Sequence, residues 1–509
     1  MSDVTKKKKF ALNMVTSFGS QVITICLGFI IPRLILTNFG SEVNGVLTSI
    51  NQIFSYFYLL EAGVGIASLQ AMYQPLAKEE HDSANRILTA TNKYYHRTGM
   101  IYAGLLFVFA FVYAWYAKSS LSFWTIFFLV LTIGTPVAFS YLVQGAYRIF
   151  LEADGKVYVV STITTVTQIT SNVMKIAAIF LTHNIILVQA AFYLAPMIQP
   201  LVLVFYVKKK YKWCNAKHPD PDYKSISQKS SALVHQISGV IFANSDVLLL
   251  TFMTNYLVIS VYATYNLIYD YAGRLLDSVC NSNVFGLAHM FHTDKTKFRR
   301  VFEYYETAYI MILFMYFTMI FLFTAPFIKL YTAGVTDVTY TDALLPMLFV
   351  LIRLLSNGKV PIQNVINFSE HFQQTKSHAI LEMTVNLAAS IVGIKLCGIY
   401  GCLLGTIAAL LVRNSLAITY ANRRLLSRSV WSTLKKWIVN FAAFLLIYRF
   451  LGSRIMEYGS YLELILRCIP YGIAVVLIYL LVNVCTQLQD FKNLYQDLGD
   501  WGLLKKLHR

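Results

Sequence analysis

Charge is scarce in this sequence. Only 13% of its 509 residues are Asp, Glu, Lys or Arg, and acids are the rarer kind, 25 against 43 Lys and Arg. With 57% hydrophobic residues and a mean hydropathy of +0.55, the chain cannot hide its apolar surface in a soluble core, so lipid is its solvent. The seven cysteines (Cys26, Cys214, Cys280, Cys397, Cys402, Cys468, Cys485) have no metal-ligand spacing and no C-x-x-C pair, which assigns them to packing. A Gly-x-x-x-x-Gly-Lys phosphate loop is missing, which argues against direct drive by ATP. No Ala-x-Ala-like cleavage site follows the charged N-terminus, so the first apolar stretch reads as an uncleaved helix. The joints poor in Lys and Arg are no longer than roughly a dozen residues, too short for an external catalytic site. No enzyme activity, catalytic residue, metal or cofactor is expected.

What is present is repetition. About fourteen apolar segments follow one another, each near the roughly 20 helical residues that a hydrocarbon core of about 30 Å requires. Tyr102 to Tyr116, Ser122 to Gln144, Ile310 to Phe323 and Ile469 to Val484 lie in such windows. The net charge of +18 does not point to nucleic acid, because Lys and Arg concentrate in alternate joints. Lys6 to Lys9, Arg86, Lys208 to Lys210, Lys295, Arg423 and Lys505 fall on one side, whereas the joints near Thr37 to Glu42, Thr182 to Asn184 and Thr332 to Asp342 are almost free of them. By the positive-inside rule both termini are cytoplasmic and the number of spans is even. The expected fold is an all-α polytopic membrane protein of about 14 transmembrane helices: two parallel six-helix bundles plus two C-terminal helices around a central cavity. The divisions expected are 1–207, a cytoplasmic linker 208–229, a second bundle 230–422, and two additional helices with a tail, 423–509.

The two sets of six read as repeats. Ser41 to Gln52 lies over Tyr256 to Leu267, the basic joint Asn85 to Thr98 over Asp294 to Thr307, and the polar connector before Tyr158 over Glu370 to Thr375. An even number of crossings per unit makes them parallel repeats, an architecture of transporters.

Ionisable groups within such spans are costly, at least ~2.5–3.5 kcal/mol each at the bilayer centre, and form the functional shortlist. On the eighth segment Asn266, Asp270, Arg274, Asp277 and Asn281 share one helical face, either as a substrate-facing row or as a self-neutralising ladder between helices. The tenth segment carries Arg353, Asn357, Lys359, Gln363, Asn364 and Asn367 and is broken by Pro361. With no acid nearby in sequence until Glu370, Arg353 and Lys359 are expected to form a cationic cluster suited to phosphate, unless Asp246 or Glu61 pairs with them. Glu61 and Asp246 are candidates for a coupling H⁺ or Na⁺, with a static partnership to an arginine as the alternative. The first segment presents Asn13, Ser17, Ser20, Gln21 and Thr24 along one face, and Arg33 near its outer end reads as a snorkelling residue or a gate. Lys175, Glu382, Arg413 and Arg467 lie nearer span ends and are expected to be anchors. Tyr265, Tyr269 and Tyr271 flank the polar face of the eighth segment and are candidates to stack on sugars.

Several stretches carry a family resemblance. Pro32-Arg33-Leu34-Ile35-Leu36 with Phe39 to Gly45, the Leu60 to Gly65 run, Asn244 to Thr251 and Val261-Tyr262 resemble the bacterial polysaccharide-biosynthesis flippases of the multidrug, oligosaccharidyl-lipid and polysaccharide exporter superfamily. The resemblance covers nearly the whole chain. It implies a multi-pass protein of the cytoplasmic membrane that moves an undecaprenyl-diphosphate-linked oligosaccharide to the outer leaflet by alternating access, for capsule or O-antigen type polysaccharide assembly. The implied partners are the lipid-linked oligosaccharide, H⁺ or Na⁺, membrane lipids and other polysaccharide-assembly membrane proteins. The family fingerprint does not fix cavity arginines, so the roles of Arg274, Arg353 and Lys359 rest on spacing alone. A cation-coupled multidrug antiporter of the same superfamily is the main alternative, and a membrane glycosyl polymerase or ligase a further one.

Overall fold

The computed structural model describes residues 3–61, 64–226, 230–280, 284–452 and 458–500. The expectations on Asn281, Lys505, and the side chains of Lys6 to Lys9, Asn13, Ser17, Ser20 and Gln21 lie outside what is described. Among the described residues every regular element is a helix. That is the physical consequence of an apolar solvent, in which backbone N–H and C=O groups must find partners within their own segment. Nine helices among the described residues are long and apolar enough to cross a membrane.

Two compact units, residues 1–260 and 261–509, divide the chain. The boundary lies beyond the linker expected at 208–229, because the helix that follows the linker packs on the first helix of the chain. Unit 1 contains α1 (Asp3–Phe57), α2 (Val64–Ala77), α3 (His81–Tyr116), α4 (Phe123–Val143), α5 (Gly145–Ala153), α6 (Val157–Leu181), α7 (Ile185–Lys210), α8 (Ser230–Met253) and the first turn of α9 (Tyr256–Cys280). Unit 2 contains the rest of α9, α10 (Val284–Thr293), α11 (Lys295–Tyr331), α12 (Leu345–Gly358), α13 (Val360–Phe368), α14 (Phe372–Cys397) and α15 (Ile399–Tyr420). It closes with α16 (Trp431–Leu451), α17 (Tyr461–Thr486) and α18 (Leu488–Asp500).

The first two expected spans run together in α1, joined at Gly40, whose φ of 84° is a left-handed value that a side chain would resist. Other expected spans are broken. The second passes through a tight turn at Tyr58–Leu60 ahead of α2, the fourth divides into α4 and α5, and the tenth into α12 and α13. The fourth position of each set of six is therefore an interrupted one. Pro361 explains the tenth: it sits in the first turn of α13, where its missing N–H costs no hydrogen bond. Gly358 lies just before that break, and a Cβ there would meet the Trp437 ring at 2.3 Å, so α16 packs close against the interruption. Between α14 and α15, Gly393 and Gly401 face each other, and a Cβ on either would sit about 2 Å from the other's carbonyl.

Candidate functional site

Spacings of four, four and three place Asn266, Asp270, Arg274 and Asp277 along one face of α9, and α12 lies against that face. Asp270 is the hub. Its Oδ2 accepts from Arg274 Nε at 3.0 Å and Nη2 at 2.9 Å, while Oδ1 lies 3.3 Å from Arg353 Nη2. The same Arg353 nitrogen donates to Asn266 Oδ1 at 2.9 Å. One turn along α12, Asn357 Nδ2 donates to Asp277 Oδ1 at 3.1 Å, and the Asn357 carbonyl accepts from the Tyr309 hydroxyl at 3.1 Å. Arg274, Arg353, Asn266, Asp270 and Asn357, five of the six candidates for the substrate site, thus form one cluster.

Lys359 stands at the break between α12 and α13 and belongs to a second cluster. Its Nζ donates to Glu382 Oε1 at 2.9 Å, and Arg413 Nε approaches Glu382 Oε2 at 3.6 Å. Arg413 Nη2 also donates to Gln363 Oε1 at 3.2 Å. The expectation that Arg353 and Lys359 lack acidic neighbours does not hold. Arg353 meets Asp270 and Lys359 meets Glu382, carboxylates brought in by tertiary packing. Glu382, Arg413 and Lys175 are also buried instead of anchoring at span ends. The flanking run Ala379-Ile380-Leu381-Glu382-Met383 was the available signal for Glu382, since a carboxylate with apolar residues on both sides has no short route to water.

Across the two clusters, four cations (Arg274, Arg353, Lys359, Arg413) meet three carboxylates (Asp270, Asp277, Glu382). Hydrogen-bond capacity is left over as well: Arg353 Nε, Arg413 Nη1 and Asn364 Nδ2 are buried and have no acceptor among the described residues. A buried donor left without a partner costs about 1–3 kcal/mol, so this row favours an added acceptor group.

Tyr265 and Tyr269 are not sugar-facing. Both are fully buried and lie parallel to Phe349, at 5.8 and 5.7 Å between centroids, with hydroxyls donating to the carbonyls of Tyr340 and Pro346. Tyr271 is half-buried beside the Arg274 guanidinium, 5.7 Å from its ring centre.

A third charged centre in unit 2 escaped the sequence reading. Glu306 on α11 is fully buried and receives Arg428 Nη2 at 2.7 Å, Lys436 Nζ at 2.9 Å and the Thr433 hydroxyl at 2.9 Å. The Thr307 hydroxyl donates to Asp490 Oδ2 at 2.5 Å. These contacts tie α16 and the start of α18 to α11.

In unit 1, Glu61 closes the turn before α2, and its Oε1 accepts from the Tyr95 hydroxyl. Glycines make the room: a Cβ on Gly65 would stand 3.1 Å from that hydroxyl, and one on Gly145 would strike the Tyr95 ring at 2.3 Å. Asp246 is buried on α8, two residues from Asn244, whose side-chain oxygen accepts from Gln52. Arg33 is half-buried on α1, and its carbonyl accepts from the Thr37 hydroxyl at 3.0 Å.

No family model matches the chain, and no curated protein matches it. Solved structures do. A lipid II flippase MurJ in an inward closed conformation aligns with a TM-score of 0.63 at 14% identity, covering 92% of this chain and 98% of MurJ. An inward-facing MATE family multidrug resistance transporter of the MOP superfamily also gives 0.63, at 12% identity over 79% of this chain and 94% of the transporter. The chain shares its fold with these two solved structures. The MATE multidrug transporter DinF-BH gives 0.51 at 12% identity, covering 81% of this chain and 95% of DinF-BH.

Proposed function

We propose that this protein is a flippase that moves an undecaprenyl-diphosphate-linked oligosaccharide from the inner to the outer leaflet of the cytoplasmic membrane by alternating access, for assembly of a cell-surface polysaccharide. The observation that carries this reading is the excess of donors in unit 2. Buried N–H groups of Arg353, Arg413 and Asn364 that lack acceptors among the described residues call for an anionic ligand rich in acceptor oxygens. A diphosphate is such a ligand, and an arginine fork holds it by charge-assisted hydrogen bonds. The structural similarity to a protein that flips lipid II fits a lipid-linked diphosphate as cargo.

Coupling to H⁺ or Na⁺ is assigned to the carboxylates of unit 1. Glu61, held by a tyrosine hydroxyl where the helix breaks, is placed first and Asp246 second. The alternating basic joints put Met1, Lys208 to Lys210 and Arg509 on the cytoplasmic side, so that an external thiol reagent reaches a cysteine placed at Thr336 and misses one at Lys217. A MATE transporter aligned at the same TM-score supports a second reading, a cation-coupled multidrug antiporter. Deletion of the gene separates the two. A flippase loss leaves a lipid-linked saccharide in the inner leaflet, and an antiporter loss leaves the lipid pool unchanged and raises drug sensitivity.

A further inference from the structure

The basic end of unit 2 contains a pocket that the row between α9 and α12 does not use. It has a volume of about 600 Å³ and lies among the end of α10, the start of α11, the turn between α13 and α14, and the turn after α15. Its rim carries Lys295, Arg299 and Arg424, with His292 and His371 beside them and Glu370 as the one carboxylate among the lining residues. Rings of Phe291, Phe298 and Phe368 pack together beneath, with centroids 5.1 to 6.5 Å apart.

The nearby acids are engaged elsewhere. Asp294 caps α11 through the N–H groups of Thr296 and Lys297, and Glu303, one turn beyond Arg299, turns to Arg428 at 3.3 Å. Lys295, Arg299 and Arg424 consequently form no ion pair among the described residues. His371 is held by Tyr420, whose hydroxyl lies 2.7 Å from Nδ1, leaving Nε2 for another partner.

Unit 1 shows how the same place can be filled. Asn85 and Arg86 correspond in the repeat to Asp294 and Lys295. There the segment after α7 lies over the helix end: Asp220 pairs with Arg86 at 2.5 Å, Asn85 bonds the backbone of Trp213 and Asn215, and the Thr89 hydroxyl accepts from the His218 N–H. Trp213 stacks on His81 at 3.9 Å. The chain itself thus supplies a carboxylate paired with Arg86 and an aromatic cover in unit 1, while among the described residues of unit 2 no carboxylate pairs with Lys295, Arg299 or Arg424, and the cations stand around an open volume.

We infer that the pocket bounded by Lys295, Arg299, His371 and Arg424 is a binding site for a phosphate-bearing anion, either the headgroup of an anionic lipid or a soluble phosphate. It is separate from the substrate row and does not depend on the flippase reading. Three cations around one concavity, with a single carboxylate among them, match the charge and the many acceptor oxygens of phosphate. The aromatic floor suits an apolar group attached to it.

The test uses the purified full chain in neutral detergent, with two probes: sodium diphosphate by calorimetry, and phosphatidylglycerol by native mass spectrometry against phosphatidylcholine. The double variant R299Q/R424Q changes exposed side chains, and its unliganded melting temperature checks folding. It is expected to weaken at least one probe about tenfold or more, in the wild-type and in the R353Q background alike, so that diphosphate held by the substrate row is set apart, whereas K212Q/K217Q, which removes equal charge from unit 1, leaves that binding in place. A loss confined to diphosphate identifies a soluble ligand, and one confined to phosphatidylglycerol identifies a headgroup. If R299Q/R424Q binds both probes as the wild type does, or the wild type binds neither, the site does not exist. If the control pair weakens binding as much, the effect is general charge and the proposal fails.

Discussion

The two units share a helical plan but treat buried polarity differently. The interior of unit 1 is joined mostly by neutral groups: Ser49 with Thr251 and Tyr113, Asn44 with Ser260, and Thr91 with Ser68, with hydroxyl or amide contacts of 2.8 to 3.0 Å. Its carboxylate at Glu61 meets a tyrosine, and its buried Lys175 meets the Gln189 amide at 3.4 Å and the Phe192 ring at 4.4 Å. Unit 2 instead holds three multi-ion centres, around Asp270, Glu382 and Glu306. Neutral hydroxyl contacts cost little to separate, whereas a buried carboxylate shared by two cations is strongly destabilised by removal of either side. The contrast is one of construction: unit 2 gathers buried charge into shared centres that hold its last helices in place, and unit 1 spreads its buried polarity over neutral contacts.

The largest effect that would break this contrast is expected at Glu306. Glu306→Ala leaves Arg428 and Lys436 buried without their shared carboxylate and should cost roughly 3–5 kcal/mol, seen as a large fall in thermal stability in detergent. A fall below about 1 kcal/mol would mean that the centre is solvated and that unit 2 is no stiffer than unit 1. Lys359 comes next. Lys359→Ala and Glu382→Ala should each lower stability, while the double variant should be less destabilised than the sum, with a coupling of about 0.5–3 kcal/mol. Additive losses would dissolve the pairing. The smallest effect on folding is expected at Glu61, where Glu61→Gln keeps the shape and an acceptor for Tyr95 and should shift stability by about 1 kcal/mol or less. It sharpens the comparison through transport: dependence on the ion gradient should weaken, and unchanged dependence would remove Glu61 as the coupling group.

These pairings were unevenly legible in the sequence. The contact of Asp270 with Arg274 follows from a spacing of four on one helix, and the break at Pro361 follows from a missing N–H. The helical membrane fold followed from the apolar segments and the alternating basic joints. Glu382 reaching Lys359 could not be read, because 23 residues and a chain reversal separate them and only packing of α14 on the break brings them together. Glu306 was hidden for a related reason: it lies near the charged end of a 37-residue helix, where a carboxylate looks solvated until α16 and α18 cover it. Tyr265 and Tyr269 misled because a tyrosine beside a polar stripe serves sugar stacking and core packing equally well. The carbonyls of Tyr340 and Pro346 decided for the core. The unit boundary at Ser260 was missed since the hydrophilic linker is conspicuous in sequence, while the packing of α8 on α1 is not.

The central claim is that the row in unit 2 holds the anionic head of a lipid-linked saccharide, and Arg353 tests it most directly. The measurement is flipping of a fluorescent undecaprenyl-diphosphate oligosaccharide in proteoliposomes, with wild type, Arg353→Ala and Arg353→Lys reconstituted at equal density. The account predicts loss of flipping in Arg353→Ala and partial recovery in Arg353→Lys, which restores the charge without the bidentate fork, with both variants folded. Wild-type flipping rates in a folded Arg353→Ala would contradict it.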